Sequence, residues 1–157
     1  MKKTVSNSIL TLAAVVLCGL CVLTSCKKEE EDLLIGTWDL VKMQTTVSAV
    51  GTVTIDPMTI TQEVNQTSVT FNSNGTWTST SVNEKGKTEN EKGTWNVKDG
   101  KLYIQSESVN PDDMLVNGMT IESLTAKELV LSYTEESSTE DDGVRYTGKV
   151  VMTFNKR

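Results

Sequence analysis

The chain has 157 residues, 15 of them basic and 21 acidic, a formal net charge of −6 and no histidine. The acid excess repels phosphate backbones, which argues against nucleic-acid binding, and it gives no electrostatic help in docking on anionic lipid. Without histidine there is no Ser-His-Asp or Cys-His hydrolysis, no His-ligated zinc and no ordinary proton shuttle; only carboxylate chemistry of the glycosidase kind survives, and no enzyme is expected.

The first element reads as a signal peptide. Lys2 and Lys3 make a positive start, and Ile9 to Leu23 is apolar apart from Thr11 and Gly19. That stretch is short for a helix crossing a hydrocarbon core of about 30 Å. It ends Leu23-Thr24-Ser25-Cys26. Small residues before a signal-peptidase cut let the extended substrate enter narrow pockets, and Leu-small-small-Cys resembles the lipobox of bacterial lipoproteins. The resemblance implies removal of residues 1–25, a diacylglyceryl group on the Cys26 thiol and acylation of the exposed amine, with palmitate as the expected label. Cys18 and Cys21 leave with the signal, so no disulfide pair remains in Cys26 to Arg157. Stability must come from a core, and a chain of this length buries roughly two-thirds of its surface on folding.

Residues 26–33 carry the lipidated Cys and a charged tether, with Lys27, Lys28, Glu29, Glu30, Glu31 and Asp32 in sequence. A solvated spacer needs no more than that. The same run, lysine followed by consecutive acidic residues behind the Cys, resembles the export signal of surface-exposed lipoproteins in the Bacteroidota. Lys27 stands where the inner-membrane retention signal of enteric bacteria has Asp. The resemblance implies a lipid-anchored outer-membrane protein displayed at the cell surface, with a periplasm-facing orientation as the alternative.

Residues 34–157 form the domain, and their texture is β: Thr, Val and Ser dominate, with no long 3.6-residue apolar period. Phe71 and Trp77 flank Asn74-Gly75, and Trp95, Val97, Leu102 and Ile104 alternate around Asp99-Gly100, a type I′ hairpin signal. Between these hairpins, polar arms from Thr76 to Asn83 and Thr88 to Gly93 meet at Glu84-Lys85-Gly86-Lys87 and project beyond the core. Asn110-Pro111-Asp112-Asp113 is a turn. Met119 and Ile121 alternate, Leu129, Leu131 and Tyr133 share a face, and Glu135 to Asp142 is an acidic loop. The last strand sets Tyr146, Gly148, Val150, Met152 and Phe154 on one face. About eight or nine strands with short links and one apolar face must close or stack. The expectation is an all-β, antiparallel up-and-down barrel behind a signal-peptide helix and a charged tether, with a two-sheet sandwich as the alternative.

Gly36-Thr37-Trp38 is similar to the Gly-x-Trp opening of lipocalins. Phe71 with Asn74-Gly75-Thr76-Trp77, Gly93-Thr94-Trp95 with Leu102, and Leu124-Thr125 with Leu129-Val130-Leu131 resemble the lipocalin-like domains of Bacteroidota lipoproteins over roughly residues 34–155. The resemblance implies a lipocalin-like barrel and a basic residue laid from the last strand across Trp38. Lys156 and Arg157 are the candidates, and both depart from the usual pattern by standing at the very end of the sequence. Gly-Thr-Trp recurs at 36–38, 75–77 and 93–95 with unequal spacing, so each Trp reads as core filler rather than as part of a tandem repeat.

Chemistry is thin. The carboxylate groups Asp112/Asp113 and Glu140/Asp141/Asp142 sit in polar segments and read as solvated loop charge; the second does not match an EF-hand, and no metal or cofactor is expected beyond covalent lipid on Cys26. What remains is the barrel interior, since eight strands enclose either packed side chains or one small ligand. The candidate ligand-lining residues are Phe71, Trp77, Trp95, Leu102, Ile104, Leu131, Tyr133, Tyr146, Met152 and Phe154, with Leu129 also inward. Apolar walls with two phenols suit a small hydrophobic ligand with one polar end. The competing reading is a filled barrel whose rim contacts a protein or glycan partner.

Overall fold

The computed structural model describes residues 29–51, 54–108, 118–139 and 144–157. The signal peptide, Cys26, Lys27, Lys28, the turn at 110–113 and the acidic cluster at 140–142 lie outside these residues.

A short helix over 29–34 leads into nine strands: β1 (Gly36–Val50), β2 (Ile55–Glu63), β3 (Ser68–Phe71), β4 (Thr76–Val82), β5 (Thr88–Lys98), β6 (Lys101–Ser106), β7 (Met119–Leu124), β8 (Glu128–Thr139) and β9 (Val144–Lys156). All pairings are antiparallel, and β1–β9 pairing closes an eight-strand barrel with β2 as an extra strand. A two-sheet sandwich is thereby excluded. β1 organises the closure. One edge pairs with β9 from Trp38↔Lys156 to Val50↔Arg145. The other edge pairs first with β3, from Gly36↔Phe71 to Asp39↔Ser68, and then with β2, from Lys42↔Glu63 to Ala49↔Ile55. β2 and β3 therefore lie end to end along β1, broken at 64–67, where Gln66 takes φ +64°.

Local chemistry sets the hairpins. Asp99 and Gly100 adopt φ of 54° and 71°, the positive pair that a type I′ turn needs, and Val97↔Leu102 and Trp95↔Ile104 follow in register. Gly75 (φ 79°) turns the chain so that Phe71 pairs with Trp77. The arms of β4 and β5 pair outward to Val82↔Thr88, and β5 is exposed from Thr88 to Lys92.

The core occupies one end of the barrel. Leu34, Trp38, Phe71, Trp77, Trp95, Val97, Leu102, Met119, Leu129, Leu131 and Phe154 form one buried cluster. A transverse row runs Gly36, Phe71, Trp77, Gly93, Ser106, setting glycines beside large rings. Gly93 is required there: a Cβ on it would overlap the Gln105 carbonyl and lie 2.9 Å from Trp77 Nε1. The three Gly-Thr-Trp indoles are all buried, and each N–H donates to a backbone carbonyl: Trp38 to Leu34 at 2.7 Å, Trp77 to Gln105 at 3.2 Å and Trp95 to Asn72 at 3.1 Å. Phe71 meets Trp95 edge-on at 5.5 Å.

The helix over 29–34 shuts this end. Leu34 is fully buried against the core, and Lys156 supplies the basic brace: its Nζ lies 4.9 Å from the Trp38 ring centroid and donates to the Leu33 carbonyl at 2.8 Å. Arg157 turns outward and makes two bonds to the Asp39 carboxylate, at 2.6 and 3.1 Å.

Candidate functional site

Beyond the packed end, four strands continue as a ribbon in the order β2-β1-β9-β8. Residues directly opposite in an antiparallel ladder share a face, so the inward face can be followed up the ribbon row by row. The first row is Gln62, Met43, Met152 and Leu131, at the edge of the core. The second is Ile60, Thr45, Val150 and Tyr133; the third is Met58, Val47, Gly148 and Glu135; the fourth is Ile55, Ala49, Tyr146 and Ser137. Continuing the face that buries Leu131 and Met152 carries apolar side chains into the open: Val47 is 41% exposed, Ile55 49%, Met58 60% and Ile60 53%. Scattered exposed aliphatics are ordinary, whereas these stand together as one apolar patch on one face.

The polar groups on this face are those of Gln62, Thr45, Glu135 and Ser137 and the hydroxyls of Tyr133 and Tyr146. Burial, and secondarily the Glu135 carboxylate, push the Tyr133 phenol above its ordinary value, so it stays protonated and can donate or accept. Gly148 stands mid-face, and a Cβ on it would meet nothing within 4 Å.

The candidate lining residues divide accordingly. Phe71, Trp77, Trp95, Leu102, Leu131 and Phe154 are in the buried cluster, Ile104, Tyr133 and Met152 pack against it half-buried, and Tyr146 lies further up the ribbon beside Ala49. Of the export-signal residues, Glu29, Glu30 and Glu31 belong to the short helix. Sequence reasoning missed Met43, Val47, Met58, Ile60 and Val150 as a joint surface. Their alternation was present, but only the pairing of β1 with β2 and β9 puts the three segments side by side.

Two other places gather polar groups. A notch of about 570 Å³ opens on the outer wall where β2 and β3 part, lined by Asp39, Leu40, Val64, Gln66, Ser68, Thr80 and Arg157. Its polar rim is dominated by the Asp39–Arg157 pair, which already satisfies itself. On β7–β9, Ser132 donates to Glu122 at 2.6 Å, and Lys149 lies 3.5 Å from the same carboxylate. The hydroxyl first, then the Lys149 charge, hold Glu122 below the ordinary carboxylate range, which makes it a poor base for activating Ser132. Among the described residues no three metal-type side chains gather.

A solved lipocalin-like protein from Bacteroides uniformis is 15% identical, with a TM-score of 0.47 over 80% of this chain and 99% of its own. An uncharacterised protein from Bacteroides eggerthii is 18% identical, with a TM-score of 0.45 over 79% of this chain and 99% of its own. No curated protein is similar enough in sequence to count as a match. The family model of the lipocalin-like domain matches residues 34–131, more than half of the sequence, and the chain belongs to that family.

Proposed function

We propose that this chain is a lipid-anchored extracytoplasmic binding protein that takes up a small hydrophobic ligand at the open end of its barrel. The observation that carries the reading is the set of exposed apolar side chains beyond the packed core, Val47, Ile55, Met58 and Ile60, with half-buried Met43 and Val150 beside them and Ala49 buried among them. A ligand lying there would cover Val47, Met58, Ile60 and Val150 and could set a polar end against the Tyr133 hydroxyl. Each of these four aliphatic side chains removed from water contributes about 1–2 kcal/mol, together about 4–8 kcal/mol, which spans millimolar to micromolar affinity.

The test is titration with the uncharged dye N-phenylnaphthylamine, which brightens in an apolar site. Gly148→Gln puts a polar side chain in the middle of the face without touching the core, and Val150→Gln removes apolar surface beside it. Both should weaken dye binding about tenfold while unfolding midpoints stay within a few degrees. Saturable binding untouched by either change would move the ligand elsewhere.

A second reading keeps the anchor but uses the rim as an interaction surface for a protein or glycan. It draws support from the packed closed end and from the exposed β4–β5 tip at 84–87. Deleting that tip should then abolish partner capture with the fold intact.

A further inference from the structure

We infer that the free edge of β2 is a self-recognition strand, on which a second copy of this chain pairs antiparallel about a twofold axis at Ile60. β2 pairs with β1 alone among the described strands, and all nine of its residues are exposed. The Val64 N–H donates to the Val41 carbonyl at 3.0 Å, in the same register as Met43↔Gln62 and Thr45↔Ile60. Alternation along an antiparallel ladder then directs the backbone groups of Gln62, Ile60 and Met58 at β1. Those of Thr59, Thr61 and Glu63 are directed at the free edge. Such a row of unmet donors and acceptors is a template for another strand.

Five features select a second copy and this register. Placing Ile60 opposite its twin brings Thr59 opposite Thr61 twice, so both of those residues exchange reciprocal backbone bonds with the partner strand. The Glu63 N–H then reaches the carbonyl opposite it, that of Pro57, a residue with no N–H of its own to waste. No charge meets a like charge: Met58 faces Gln62, and Asp56 and Glu63 fall outside the centre. The pairing also covers Ile60, 53% exposed, with its own twin, and it stops short of residues 64–67, where the strand leaves β1 for β3. Pro57 and the 56–57 irregularity at one end and Glu63 at the other fence the segment to this length. The upper half of β8 also has an open edge, yet it carries Glu135 and Glu136, which discourage pairing. β2 carries no charge from Pro57 to Gln62.

A contact of one short strand from each copy falls well below the roughly 1,200 Å² of a stable complex, so the association is reversible and needs trapping. Ile60→Cys puts thiols opposite each other in a pair that is not hydrogen-bonded, where Cα atoms approach within disulfide range. Met58→Cys is the control: Met58 is more exposed, at 60%, and lies on the same face, yet in this register it is four residues out of alignment with its twin. Both variants are made in the full chain, expressed in cells, oxidised briefly and run on non-reducing gels. We expect a disulfide-linked band of twice the mass for Ile60→Cys, several-fold stronger than for Met58→Cys, and its loss when Thr59→Lys and Thr61→Lys are added. Equal bands from both cysteines mean random collision and overturn the proposal, as does no band from Ile60→Cys. Circular dichroism of each variant confirms that the fold persists, so a missing band is a missing dimer.

Discussion

Trp38→Ala tests whether the closed end is held as described. The Trp38 ring is fully buried, its N–H donates to the Leu34 carbonyl at 2.7 Å, and Lys156 caps it while bonding Leu33 at 2.8 Å. Truncating a buried aromatic costs about 3–5 kcal/mol, a large part of the roughly 5–15 kcal/mol that holds a domain together. Trp38→Phe keeps most of the ring but strands the Leu34 carbonyl, at about 1–3 kcal/mol. Lys156→Met keeps the aliphatic stem and removes the charge from the ring face, a contact of about 0.5–2 kcal/mol. Trp38 and Lys156 share that contact, so the double variant should be less destabilised than the two singles together by about 0.5–2 kcal/mol. Urea unfolding followed by circular dichroism measures this, read only if the denaturant slope is unchanged. A loss under about 1 kcal/mol for Trp38→Ala, or strict additivity with Lys156→Met, would refute the clasp.

Glycine substitutions offer a paired check. Gly93→Ala should destabilise by more than about 2 kcal/mol because the new methyl overlaps a strand carbonyl. Gly148→Ala, facing open space, should be neutral or stabilising by about 0.5 kcal/mol, and thermal melts of the two order them directly. Glu122 has a folded pKa below its unfolded one, so its contribution is present above the ordinary carboxylate range and is lost as pH falls through the folded value. Glu122→Gln should therefore flatten the acid limb of a stability–pH curve, and an unchanged limb would remove Ser132 and Lys149 as the cause. For the anchor, Cys26→Ala should stop labelling by radioactive palmitate. Alanines at Lys27 to Glu31 should leave labelling intact but protect the protein from protease added to whole cells.

What was legible in the sequence is what local chemistry dictates. Asp99-Gly100 and Asn74-Gly75 fix two hairpins whatever surrounds them, and the alternation from Tyr146 to Phe154 fixes which face of β9 points inward. Closure followed because one apolar face per strand leaves no better solution. Two things were not legible. β2 has alternation at Met58 and Ile60, but both lie in solvent, so no burial signal separates this strand from a loop. The helix over 29–34 is acidic up to its last two residues, and only the placement of Leu34 under Trp38 turns the end of a tether into a plug. The proposed binding face shares both difficulties, since it is assembled from three segments none of which carries a motif of its own.

The two ends of the barrel are joined by three long strands, β1, β8 and β9, and their division of labour shows most plainly along β1. β1 spans Gly36 to Val50, about 45 Å at roughly 3.3 Å per residue. Its first few residues are locked by Trp38, Lys156 and the short helix; its last eight run on the ribbon with β2 and β9, mostly half-buried, with Val47 and Val50 exposed and Ala49 buried. Rigidity is concentrated where the chain enters the domain, so a lipid on Cys26 would tether the packed end and leave the apolar face at the far end of the strand. Any pull or rotation at such a tether would act first on Leu34 and the Trp38 clasp, not on the proposed ligand face. A protein built this way can be held firmly at one end while the other keeps an open surface that no core residue needs to fill.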